Sequence, residues 1–169
     1  EKMGVVSPLI LPDIALLDPT LTISVPAHVT AATGIDAMVH AIEAYTSTSA
    51  NNNPISRQLA LQALGLLGKA VEVAVHDGNN KQARADMMLG SMLAGQAFAN
   101  SPVAAIHALA YPIGGHFKIP HGLSNALVLA HVLRFNSTVA PVPYAEIAPY
   151  VFPKLAEIGT QEAAAAFAE

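Results

Sequence analysis

The chain has 169 residues, of which 53% are apolar and only 12% charged, with a formal net charge of −4 and no cysteine. This length supports one domain with a substantial core and excludes two large ones. Sparse, scattered lysines and arginines exclude a basic nucleic-acid stripe, and the lack of cysteine excludes disulfides and thiolate metal sites.

The opening segment is not helical in pattern. Val5-Val6 and Ile14 to Leu17 are short aliphatic runs separated by Pro8 and Pro12, so residues 1–25 are expected to form a strand-like arm needing a sheet to pair with. Beyond Pro26 the chain turns Ala-rich, and residues 26–169 are expected to form an all-helical domain. A first helix is expected from about Thr30 to Tyr45. Asn53-Pro54 is a cap-then-proline start for a second, running to His76 and stopped at Asp77-Gly78. A third spans Lys81 to Ala99, with Gly90, Ala94 and Gly95 allowing a close neighbour. Ser101-Pro102 repeats the start signal for a fourth, which must end before Pro112. Gly114-Gly115 and Pro120-His121-Gly122 frame a loop, and a fifth helix runs from Leu123 to Arg134. A sixth spans Tyr144 to Glu157 with an interruption at Pro153, and the final QEAAAAFAE begins a helix without a C-cap.

No uninterrupted apolar run reaches the roughly 18–20 residues of a membrane-spanning helix. Nor does a basic segment followed by an apolar one mark a signal peptide. A cytoplasmic protein with no membrane partner is expected, its surplus apolar surface packing on another domain or subunit.

Four residues carry the chemistry. Asp36 and His40 are four apart, so a helix stacks them on one face. His107 lies in a second apolar stretch, and His121 follows across a Pro/Gly-rich bend that can return it to the same point. One carboxylate and three imidazoles suit Fe(II), Zn(II), Ni(II) or Mn(II) without choosing among them. The residues alone leave two readings open. Asp36 and His40 can be an ordinary surface pair, and His107 a hydrogen-bonded core histidine; alternatively the four share an ion among the small residues Gly34, Ala37, Gly114, Gly115 and Gly122. His131 reads as a packed histidine, His28 and His76 as helix-end residues, and His116 as a loop residue able to face the same cavity.

The stretch ALLDPTLTISVPAHVTAATGIDAMVHAIEAY, with Asp18, Pro26, Ala32-Thr33-Gly34, Asp36, His40 and Glu43, resembles a signature of the iron-containing (group III) alcohol dehydrogenases, which share the dehydroquinate synthase-like fold. IHALAYPIGGHFKIPHG resembles that family's downstream histidine region. The resemblance implies that Asp36, His40, His107 and His121 hold a divalent metal, Fe(II) first and Zn(II) second, and that Lys2 lies against the nicotinamide ribose. Many members have a histidine where this chain has Tyr111, so Tyr111 and His116 are the candidates for the proton relay.

No GGG or GxGxxG run is present, so these residues are expected to lack the family's N-terminal α/β nucleotide-binding domain and the helical domain is expected to be cut at its C-terminus. The implied parent is a homodimeric NAD- or NADP-dependent enzyme interconverting small alcohols with aldehydes or ketones, and these residues alone are expected to be inactive. Two alternatives stand beside it: a non-catalytic metal-binding helical module, and a zinc glycerol dehydrogenase-like relative.

Overall fold

A computed structural model describes residues 7–169 as a bundle of seven α-helices with no strand among those residues. The helices are α1 (Ala27–Thr46), α2 (Pro54–His76), α3 (Lys81–Asn100), α4 (Ala105–Phe117), α5 (His121–Val139), α6 (Pro141–Val151) and α7 (Thr160–Phe167).

Local signals set α2 at both ends. The Asn53 side chain accepts from the Ile55 and Ser56 amides while Ser56 Oγ accepts from the Asn53 amide, satisfying orphan donors reciprocally. Three expectations need correction. Residues Ile14–Leu17 form no strand: the arm contains 3₁₀ turns at Pro8–Ile10 and Pro19–Thr22, joined by irregular chain. Among the described residues there is no strand for them to pair with, and Ile14 and Leu16 are 83% and 88% exposed. Val5-Val6 lie outside the described residues.

The second correction is at the start of α4. Ser101 does not open that helix; its amide bonds back to the Ala97 carbonyl and closes α3. The third is at its end, because α4 runs through Pro112 and both Gly114 and Gly115 to Phe117. Pro112 deletes one ladder bond but not the helix, which ends where Lys118 takes a left-handed φ of 56°. α5 accordingly begins at His121 rather than Leu123. The interruption at Pro153 is present, as a 3₁₀ turn over Pro153–Glu157 after α6.

The core lies where α1, α2 and α3 meet, with α6 and α7 closing one side. Ala60, Ala63, Leu64 and Leu67 of α2 have no exposed surface. α2 also has the length and mean hydropathy (1.3) of a membrane-crossing segment; here it is the central helix of the bundle. Gly90 admits α2 at close range, since a Cβ there would stand 2.7 Å from Leu67 Cγ. Gly95, by contrast, meets nothing within 4 Å. The buried Arg84 guanidinium ties the arm to the bundle, donating to the Val25 and Gly78 carbonyls and, at 2.7 Å, to Thr30 Oγ1. Tyr45 links α1 to α6 by donating to Glu146 Oε2 at 2.8 Å; burial, then Glu146, pushes its phenol up to about 12.

Candidate metal centre

Three helices bring the four candidate residues together. Asp36 and His40 lie one turn apart on α1, His107 in the first turn of α4, and His121 at the first residue of α5. Ligand atoms of Asp36, His40 and His107 all fall within 4.8 Å of one another. His121 Nε2 is 3.4 Å, and His107 Nε2 3.7 Å, from Asp36 Oδ1. Donors at about 2.1 Å around a tetrahedral ion stand about 3.4 Å apart, so the spacing and the nitrogen/oxygen donor set both fit a divalent transition metal.

The imidazoles are held by their neighbours. His40 stacks between Phe98 and His107, at centroid distances of 4.9 and 4.7 Å. His121 stacks on Tyr111 at 5.6 Å. Its place on α5 depends on Gly122, where any Cβ would collide with the Ala32 carbonyl oxygen of α1.

Burial holds the His40 pKa below its ordinary value despite Asp36 beside it. Asp36 stays below the usual carboxylate range: burial opposes its charge, but His107, His40, His121 and Asn125 outweigh burial. His107 is raised to about 9, because Asp36 and Glu43 outweigh the burial that disfavours its charge.

Two residues beyond the four candidates complete the centre: Glu43, marked in the sequence only as part of the signature stretch, and Asn125, which no motif marks. Glu43, 3% exposed, accepts from the Ala104 amide (2.9 Å), the Ile106 amide (2.7 Å) and His107 Nδ1 (2.7 Å). It thereby caps α4, which has no side-chain cap of its own. The fully buried Asn125 amide donates to Asp36 Oδ1 and lies 3.2 and 3.4 Å from Nε2 of His107 and His121, while its oxygen has no hydrogen-bond partner among the described residues. Periodicity could have found both: Glu43 follows His40 by three residues and Asn125 follows His121 by four, each on a ligand-bearing helix face.

The remaining candidates divide. Tyr111 is half-exposed beside His121 and His107. His116 lies in the last turn of α4, exposed and about half a turn around the helix from His107, instead of in a loop facing the cluster. Lys2 lies outside the described residues.

Comparisons with known proteins bear on the family and the fold. The profile of the "Fe-containing alcohol dehydrogenase family, C-terminal" matches residues 30–169. Long-chain-alcohol dehydrogenase 1 of Geobacillus thermodenitrificans is 54% identical over 126 residues, covering 75% of this chain and 31% of that protein. The crystal structure of a 1,3-propanediol oxidoreductase superposes with a TM-score of 0.85 at 41% identity, over 89% of this chain and 39% of its own. Sulfoacetaldehyde reductase of Bifidobacterium kashiwanohense, solved in complex with NAD+, gives 0.81 at 32% identity, over 96% and 43%. The chain thus spans well under half the length of each of these relatives. It belongs to the iron-containing alcohol dehydrogenase family and carries that family's C-terminal helical domain.

Proposed function

We propose that these residues form the metal-binding part of an NAD(P)-dependent alcohol dehydrogenase, one that interconverts an alcohol with its aldehyde or ketone. The observation that carries this reading is the convergence of Asp36, His40, His107 and His121 on one point. Relatives named as alcohol and propanediol dehydrogenases support the reaction class, and the relative solved with NAD+ supports a nicotinamide partner. Fe(II) is the ion the family name favours, with Zn(II) suited to the same donors.

A divalent ion bound there supplies Lewis acidity that polarises the substrate oxygen. The protein's part is to place and orient. Asp36 is the single anionic ligand, so a divalent ion keeps net positive charge toward substrate. Phe98 and the stacked imidazoles wall the centre on its inner side. Tyr111, half-exposed against His121, is the group on this chain best placed to meet a substrate hydroxyl. His116 faces away from the ligands and is the weaker relay candidate.

The nucleotide would be held by residues beyond those described, Lys2 among the candidates. Exposed apolar residues of the arm, such as Leu9 (94%) and Leu16 (88%), support packing against further protein, consistent with the proposed cytoplasmic homodimer.

The test is anaerobic purification of the complete polypeptide that carries these residues, followed by elemental analysis and alcohol-dependent reduction of NAD+ or NADP+. Bound iron or zinc with turnover abolished by a chelator is the expected result. Full turnover without metal would overturn the reading.

A further inference from the structure

Glu43 is a buried carboxylate whose only ion-pair partner among the described residues is His107. Its charge is met instead by three N–H groups: the amides of Ala104 and Ile106 and the ring of His107. A backbone amide can only donate, so both Glu43 oxygens act as acceptors there. Oε2, which already accepts from Ala104, faces His107 Nδ1 at 2.7 Å, and an ionised carboxylate there can only accept, so that nitrogen carries the proton.

We propose that Glu43 is the positioning residue that sets the tautomer of His107. It keeps the ring proton on Nδ1 and turns the Nε2 lone pair toward Asp36 and His121. This rests on the reading that Asp36, His40, His107 and His121 hold a divalent ion. Because the same carboxylate caps α4, the aim of His107 and the docking of α4 onto α1 are one interaction. A helix start without a capping side chain of its own and a ligand with a fixed proton have a single source.

Glu43→Gln separates charge from shape. A carboxamide has one oxygen where the carboxylate has two, so it cannot accept from Ile106 and from the Ala104–His107 pair together. With that oxygen on Ile106, the –NH₂ faces Nδ1, which must then accept, and the ring proton moves to Nε2, where the ion would bind; with it on Ala104 and Nδ1, a neutral oxygen holds the Nδ1 proton more weakly than a carboxylate does.

The experiment uses the complete polypeptide with Zn(II) as probe. Chelator competition measures affinity, and long-range ¹H–¹⁵N spectra of the histidine rings report the tautomer. The wild-type zinc form should show His107 protonated at Nδ1 and metallated at Nε2, and E43Q should bind zinc about 10–100-fold more weakly. Unchanged zinc affinity in a less stable E43Q would reduce Glu43 to a helix cap and overturn the proposal. So would a wild-type ring metallated at Nδ1, which leaves the metal reading intact. If E43Q fails to fold, the wild-type ring spectrum decides alone. A wild-type protein that takes up no zinc overturns the metal reading and this proposal together.

Discussion

Gly122 of α5 sits directly on the Ala32 carbonyl of α1, and this contact sets the distance between His121 and Asp36. A methyl group at residue 122 has backbone in its way, so relief requires the two helices to separate. Gly122→Ala is therefore expected to lower stability by about 1–3 kcal/mol and to weaken metal binding as His121 moves off Asp36. Gly95→Ala is the control. It adds a methyl into open space within α3, where replacing glycine should gain up to about 1 kcal/mol. Thermal melts and metal titrations of the two variants check both expectations.

Asn125 makes a second prediction. Its amide donates to Asp36 Oδ1 from the buried side of α5, next to the His121 ring, whose Nε2 is 3.4 Å from the same oxygen. Asn125→Leu keeps the branched outline with somewhat larger methyl groups and removes the hydrogen bond, which should cost about 1–3 kcal/mol and loosen the Asp36 carboxylate. Zinc affinity should fall along with stability. A variant with wild-type affinity would show that the amide serves packing only.

The metal-free protein should respond to pH through His107. Its folded pKa is raised to about 9, above the ordinary 6.5. The stabilisation from the paired imidazolium is therefore complete below about pH 6.5 and lost as pH rises through about 9. Metal-free melting temperatures should decline across that window, and the decline should vanish when an ion replaces the proton. Metal uptake must expel that proton, so apparent affinity should rise about tenfold per pH unit up to about pH 9. A flat metal-free profile between pH 6.5 and 9 would contradict the pairing with Asp36 and Glu43.

What the sequence made legible follows the range of the interactions. α2 could be read at both ends because Asn53, Pro54 and Ser56 satisfy one another within four residues. The four candidate ligands could be read from spacing, family resemblance and the small residues around them. α4 could not, because its cap comes from Glu43, 61 residues before Ala104, while the local Ser101-Pro102 signal closes α3 instead. Pro112 misled for a related reason. A proline removes one donor, and the α4 ladder on either side tolerates that loss. The arm read as strand because aliphatic spacing records a preference for extended backbone and cannot supply a partner. A loop at Gly114-Gly115 would leave His116 free to face the ligands; because α4 continues through both glycines, helical rotation carries His116 away from them.

Metal stoichiometry is the most direct measurement of the central claim. The complete polypeptide should take up one Fe(II) or Zn(II) per chain, while His121→Ala and His40→Ala should each lose most of it. Neither change empties the core, since both residues are only partly buried, so circular dichroism should remain that of a helical bundle. His107→Ala should also lose metal, at a greater cost in stability because it removes a buried ring and one of the three donors, and the only ion-pair partner among the described residues, of the buried Glu43 carboxylate. Full stoichiometry retained in both His40→Ala and His121→Ala would contradict the shared site.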